Sequence, residues 1–338
     1  MKSPRASDEF KKIYEIQGIL GKAGPRVSVG IGDDAAVLAP SLQPLLFCSD
    51  VMVETIHFRS DWTTPAQLGF KAVMACASDI AAMNGQWLYS TISIALPQHL
   101  QEQNFLKDFY LGVKKAADLY GADVVGGDLT SSPSLLFLDV ACIGACSHPV
   151  RRSGAQVGDQ IMVSGNLGSS KAGFEILNSE MKHLKLEFPS LLRAHLEPCA
   201  RLDLIKGLSL ETELITSMID VSDGLSSELH HLAQASGLHF QIDETNLPFD
   251  KNLPKLAEKL CSPHGASIRY LDWILDGGED YQLLATMNMD RHTELQRDSP
   301  DALAGWTRIG EVSVGSGVTL RTQDQTTRAL VAKGFRHF

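Results

Sequence analysis

Carboxylates stand in unusual company in this sequence. Asp33 and Asp34 follow two glycines in VGIGDDAAVL, Asp50 sits inside LLFCSDVMV, and Asp79 interrupts the alanine-rich run ACASDIAAM. Asp128 closes VVGGDL, Asp220 and Asp223 fall in SMIDVSDGL, and Glu279 and Asp280 follow paired glycines in LDGGEDYQLL. Acidic side chains ordinarily occupy solvated faces among other polar groups, whereas these interrupt apolar or glycine-rich runs. Glycine lets a backbone turn sharply and approach a ligand closely, and a carboxylate there is the donor that a hard, oxygen-seeking cation takes. The chemistry implied is divalent-cation binding. The whole chain is acidic, with 30 Lys+Arg against 40 Asp+Glu and a formal net charge of -10. A phosphate-bearing ligand therefore needs a cation to mediate its approach.

Each motif also has a plain structural reading. Asp33-Asp34 after Gly32 is equally a turn pair, and either Asp223 or Ser222 is placed as a helix N-cap. Asp79, among Ala72, Ala75, Ala81 and Ala82, lies on a tightly packed helix, where a carboxylate needs a partner. His57 in ETIHFRS and Lys71 are single residues, and a lone histidine is more often structural than functional. The recurrence of one context in so many segments is what favours a shared role. Competing phosphate motifs fail: no G-x-x-x-x-G-K-[ST] loop is present. GIGDDA matches the G-x-G-x-x-G/A dinucleotide pattern, but two aspartates would sit where a pyrophosphate meets bare amides at a helix start. No G-x-S-x-G elbow, H-E-x-x-H pair or protein-kinase HRD–DFG set occurs.

These residues need elements to position them. At 338 residues the chain exceeds the roughly 250–300 at which a single core stops growing, so two domains are expected. A hydrophobic content of 44% excludes a largely disordered chain. The charge balance excludes a basic nucleic-acid footprint. No apolar run approaches the roughly 18 residues of a membrane span, and the start has no signal-type core. The six cysteines are scattered, and Cys142 and Cys146 lack the second ligand pair of a zinc site, so free thiols in a reducing cytoplasm are expected. Periodicity predicts helices over about 7–20, 64–83 and 101–120, and strands at Ala35–Leu38, Leu45–Val53, Tyr89–Leu96, Asp123–Val125 and Leu135–Ile143. The stretch CSHPVRRSGAQVGD is the expected boundary, with 1–148 before it and 149–338 after it. The fold class expected is α+β (α/β) in two domains.

Together these segments resemble the thiamine-monophosphate kinases, members of the superfamily that also holds aminoimidazole ribonucleotide synthetase and selenophosphate synthetase. The residues that carry the resemblance are GIGDDAAVL, SDVMVETIHF, FKAVMACASDIAAMNG, VVGGDL and RRSGAQVGD in the first half. In the second they are VSGNLGSSKAG, IDVSDGL, DGGEDYQLL and the ending KGFRHF, so the likeness runs from about residue 7 to the end. It implies ATP-dependent phosphorylation of thiamine monophosphate to thiamine diphosphate with several Mg²⁺ ions and no dedicated catalytic base. Position by position it implies Asp33, Asp34, Cys48, Ser49, Asp50, Asp79, Asp128, Asp220 and Asp223 around the metals. Gly127, Asp128, Arg152 and Ser222 resemble ATP-contacting positions, and His57, Glu279 and Phe335 resemble those that hold the acceptor. Cys48 stands where the family usually presents a hydroxyl, and Leu129 replaces the Thr common after GGD. The resemblance further implies an aminoimidazole ribonucleotide synthetase-like fold. In it an N-terminal sheet-forming domain pairs with a second copy as a homodimer, and a C-terminal domain closes over nucleotide and substrate. The rival readings are another ATP-using member of the superfamily and a catalytically silent binder of thiamine phosphates or nucleotides. Nothing like the reactive Cys of selenophosphate synthetases precedes Cys48, the chain ends in RHF where hydrogenase-maturation relatives end in an acceptor Cys, and no metal carboxylate has been lost.

Overall fold

Thr64-Pro65-Ala66-Gln67 has the spacing of a capping box, and in the computed structural model it is one. Gln67 N–H donates to Thr64 Oγ1, and Thr64 N–H donates to Gln67 Oε1. The helix they start, Pro65–Ala82, carries a run of small and apolar residues that are almost wholly buried. The structure describes residues 8–101, 104–208, 213–261, 268–298 and 300–335. They fall into two units: residues 1–80 with 85–147, and residues 81–84 with 148–338.

The first unit opens with the helix Asp8–Leu20 and a small antiparallel pair, β1 (Val27–Val29) and β2 (Val37–Leu38). Its main sheet comprises β3 (Leu45–Val53), β4 (Gln86–Pro97), β5 (Asp123–Ser132) and β6 (Phe137–Ala145) in the order β3-β6-β4-β5. β6 pairs antiparallel with both β3 and β4, while β4 and β5 run parallel. The crossover between β4 and β5 is the helix Phe105–Tyr120, as a parallel connection requires. Helices Pro65–Ala82 and Phe105–Tyr120 cross where Gly69 meets the backbone of Phe109 and Gly112 meets that of Ala66, so neither glycine has room for a Cβ. Helix Pro65–Ala82 meets the sheet as closely, with Ile80 against Gly85 and Gly144. β3 is an edge strand. Leu46 and Met52 are buried, Cys48 and Asp50 are half-buried on the same face, and Leu45, Phe47, Ser49 and Val51 alternate outward.

The second unit is built on a seven-stranded sheet: β7 (Gln160–Ser164), β8 (Ile215–Asp220), β9 (His239–Asp243), β10 (Leu283–Met287), β11 (Trp306–Ser313), β12 (Gly317–Arg321) and β13 (Thr327–Ala329), in the order β13-β12-β9-β11-β7-β10-β8. Every pairing is antiparallel except β12 with β9. All residues of β7 and β10 are buried, so both faces of the sheet centre are covered. The core joins Ile161, Val163, Ile219 and Leu284 to Ile176, Leu229, Leu232 and Ile274 of the packed helices. β8 lies at the sheet edge and ends on Asp220, so the residues after it leave the sheet into a loop.

Candidate functional site

In the second unit the β8–β10 ladder runs on beyond its last strand pair. Asp220 faces Leu283; after it, Val221 N–H donates to Gln282 O (2.7 Å), Tyr281 N–H to Val221 O (2.9 Å) and Glu279 N–H to Ser222 O (2.7 Å). Gly278 packs so closely on Ser222 O that a Cβ would lie 2.5 Å away. The chain's last described segment joins the same place. Phe335 N–H donates to Asp223 O (3.0 Å), Lys333 N–H to Ser226 Oγ and Gly334 N–H to Ser227 Oγ. The fold thus brings together Asp220, Ser222, Asp223, Glu279 and Phe335; residues 336–338 of the KGFRHF ending lie outside the described residues. Helix Leu225–Ser236 begins at Gly224 with no side-chain cap, so neither Asp223 nor Ser222 is its N-cap. Glu228 reaches back to accept the Asp223 N–H at 3.0 Å. Burial raises the Glu228 carboxyl to about 8, opposed by that N–H and by Arg152, and reinforced by Asp220 and Asp223. Arg152 is exposed; its neighbour Arg151 is fixed to β8 through a carbonyl that accepts Met218 N–H at 2.9 Å.

Glu279 and Tyr281 adopt left-handed φ values of 63° and 48°, a region that costs a non-glycine residue about 1–3 kcal/mol. Asp280 between them holds the loop. It is buried at the start of helix Ser169–Asn178, where Oδ2 accepts Gly168 N–H (2.6 Å) and Oδ1 accepts Ser170 N–H (2.9 Å). Burial pushes its carboxyl up to about 7 despite those amide donors. Glu279 itself is directed by His195, whose Nδ1 lies 3.4 Å from Oε2 and 3.1 Å from Ser170 Oγ. His195 is 5% exposed. Sequence reasoning missed Glu228 and His195, because a single acidic residue on a polar helix and a single histidine before Pro198 carry no spacing signal.

In the first unit Asp33 forms a turn, its Oδ1 accepting Asp34 N–H at 2.9 Å, and both residues are exposed. The loop is tied down by Gln17 Nε2 donating to Ile31 O. Asp128 is exposed on β5, and Oδ1 accepts Leu129 N–H. Gly127 before it has φ 154° and faces Ile92 O so closely that a Cβ would overlap it; a bulge at Ser90/Thr91 precedes this pair. His57 closes the turn after β3, where Nδ1 accepts Val53 N–H at 3.0 Å. An accepting Nδ1 puts the proton of the neutral ring on Nε2, which becomes a hydrogen-bond donor.

β3 separates residues that the motif places side by side. Asp50 and Cys48 share the helix-facing side, while the Ser49 hydroxyl points to the other face and donates to Asp139 Oδ1 at 2.8 Å. The Cys48 sulfur turns toward Cys76, 3.6 Å from its Sγ. Hydrogen bonding within the thiol group of Cys48, Cys76 and Cys142 lowers the Cys142 thiol and raises the other two. Among the described residues no group of three or more His, Cys, Asp or Glu is arranged to hold a metal ion. The donor types divide clearly. Asp34, Asp50, Asp79 and Asp128, with Asp220 and Asp223 in the second unit, are hard oxygen donors and suit Mg²⁺. The Cys48 thiol and the Ser49 hydroxyl are engaged elsewhere.

The family model for the AIR synthase related protein N-terminal domain matches residues 32–146, and that for the C-terminal domain matches residues 156–322. A thiamine-monophosphate kinase of Bacillus subtilis is 34% identical over 345 aligned positions, 98% of this chain and 99% of that protein. Its counterpart from Aquifex aeolicus is 34% identical over 308, covering 91% and 92%. A solved structure, AaThiL complexed with AMPPCP and TMP, superposes over 100% of both chains with a TM-score of 0.77 and 33% identity.

Proposed function

The chain belongs to the thiamine-monophosphate kinase family of AIR synthase related proteins, and from that premise we propose that it transfers the γ-phosphoryl group of ATP to thiamine monophosphate, giving thiamine diphosphate and ADP. The observation that carries this reading is the clasp in the second unit that unites Ser222, Asp223, Glu279 and Phe335. The acceptor is a phosphate monoester, mostly dianionic at neutral pH because its second pKa is near 6. Its oxygen attacks the γ-phosphorus without needing a base, and the barrier lies in bringing two anions together. His57 presents Nε2–H to an acceptor phosphate oxygen. Glu279, oriented by His195, and the exposed Phe335 ring hold the cationic, flat thiamine moiety. Arg152, Ser222 and the narrow backbone at Gly127-Asp128 receive ATP. Asp34, Asp50, Asp79, Asp128, Asp220 and Asp223 would hold Mg²⁺, which when bound neutralises phosphate charge during transfer.

The same reading has the reaction run in the cytoplasm, whose reducing poise agrees with six free cysteines. A homodimer is part of the same reading. Leu45, Phe47, Val51 and Phe137 form an exposed apolar strip on adjacent strands, a surface that a second copy would cover. The decisive experiment mixes protein, ATP, Mg²⁺ and thiamine monophosphate, with free thiamine and EDTA controls. Thiamine diphosphate formed one-for-one with ADP, only with metal and only from the monophosphate, is the expected result. No turnover with the monophosphate still bound would replace the kinase by a silent binder.

A further inference from the structure

Residues 330–335 lie across the start of helix Leu225–Ser236 as a strap with little burial of its own. Leu330 is buried, but Val331 and Phe335 are 62% and 49% exposed and Lys333 is exposed as well. What holds the strap is a short row of hydrogen bonds. At one end Leu330 N–H donates to Val318 O (2.9 Å) and Leu330 O meets His230 Nε2 (2.7 Å). At the other, the amides of Lys333, Gly334 and Phe335 donate in turn to Ser226 Oγ, Ser227 Oγ and Asp223 O. Ser226 is fully buried, and its hydroxyl donates onward to Asp276 Oδ1 at 2.7 Å, at the head of the Glu279 loop. One hydroxyl thus ties strap, helix and loop together. A segment with so few buried contacts opens at low free energy unless something adds to its hold.

We propose that this strap couples the two substrates, with Ser226 as its positioning residue and Gly334 as its point of closest approach. The inference rests on the kinase reading above, in which Ser222 and Asp223 serve nucleotide and metal. The carbonyls of those same two residues accept the amides of Glu279 (2.7 Å) and Phe335 (3.0 Å), the residues assigned to the acceptor. A nucleotide and cation that fix residues 222–223 therefore also fix the supports of Glu279 and Phe335. The acceptor then enters a site whose ordering cost has been met. By linkage, the acceptor tightens the nucleotide by the same factor. Ser226, being fully buried, touches neither substrate and acts through the strap and through Asp276. Gly334 has no room for a side chain, since a Cβ there would overlap Asp223 O and Ser227 Oγ. Any larger residue lifts the strap while leaving the helix and sheet beneath it intact.

The test measures by calorimetry the binding of AMPPCP and of thiamine monophosphate, both with Mg²⁺, each with and without the other. The parent should bind each ligand at least about fivefold more tightly in the presence of its companion. Hydrogen exchange at the amides of residues 333–335 should slow when AMPPCP and Mg²⁺ are added alone. Gly334→Ala should bind AMPPCP alone as the parent does and lose the coupling factor. Its KM for thiamine monophosphate should rise about tenfold with little change in kcat. Ser226→Ala should behave alike; where that buried site folds poorly, Gly334→Ala on the surface strap decides. Ligands that bind independently in the parent, coupling that survives Gly334→Ala, or strap amides indifferent to nucleotide would each overturn the proposal and leave the kinase reading standing. If neither ligand binds and no thiamine diphosphate forms, the kinase reading fails and the proposal falls with it.

Discussion

Asp280 is the residue on which the Glu279 loop hangs, and its burial makes a quantitative demand on stability. Its carboxyl titrates near 3.9 in an unfolded chain and near 7 in the folded one, where burial outweighs the amides of Gly168 and Ser170. Between those values the folded state keeps a proton that the unfolded state has released. Stability from this group is therefore fully present below about pH 4, declines as pH rises and is gone above about pH 7. The whole shift amounts to about 4 kcal/mol, of which about 3 kcal/mol falls between pH 5 and pH 8.

Asp280→Asn removes the titration while nearly keeping the shape. At pH 5 the variant should be less stable than the parent, because one amide donor of Gly168 or Ser170 then faces the –NH₂ group and an unsatisfied group costs about 1–3 kcal/mol. By pH 8 the parent has lost its protonated-state advantage, so the gap should narrow by about 3 kcal/mol, closing or changing sign. In a domain of this size that is about 6–12 °C in Tm. The assay is thermal or urea unfolding without nucleotide or divalent ion, followed by tryptophan fluorescence. Trp273 is a suitable reporter, being buried with its carbonyl accepting Gly277 N–H in the same loop. A parent–variant gap that stays constant from pH 5 to pH 8, or widens, would refute a protonated buried Asp280.

Asp50→Asn and Asp79→Asn should each lower turnover at limiting Mg²⁺ by at least about a hundredfold with unchanged melting, and near-normal rates in either would remove that residue from the cation set. Glu279→Gln should raise KM for thiamine monophosphate by about 10–100-fold while leaving KM for ATP in place; an equal effect on both substrates would contradict its assignment to the acceptor. Gly127→Ala should destabilise the first unit by at least about 2 kcal/mol and weaken ATP binding, because its Cβ overlaps Ile92 O; an unchanged melting curve would be incompatible with that backbone position.

Elements whose pattern is local were legible in the sequence. β3 occupies Leu45–Val53 as its apolar run predicts, and the helix expected over 64–83 is Pro65–Ala82, since a capping box fixes its start. β5 was underestimated: Gly126-Gly127 reads as the end of a strand at Val125, yet the ladder continues to Ser132 because β4 supplies partners and the bulge at Ser90/Thr91 absorbs the misfit. The opposite occurred at Ala35–Leu38, where only Val37–Leu38 is strand and the preceding residues belong to the aspartate loop.

The site divides along the same line. Glycine-flanked acids announced that Asp34, Asp128, Asp223 and Glu279 sit on exposed or loop backbone, because glycine's freedom is a property of the residue itself. What each carboxylate does is decided by its partners, and those come from afar: Asp280 meets helix Ser169–Asn178, Glu279 meets His195, and Asp223 meets Phe335. Glu279 and Asp280 show the consequence most sharply. They are adjacent acids in one motif, yet one is left-handed and partly exposed beside a histidine, and the other is sealed beneath a helix start. Composition and spacing treat them alike. Only the tertiary fold separates the carboxylate available to a ligand from the one that holds it in place.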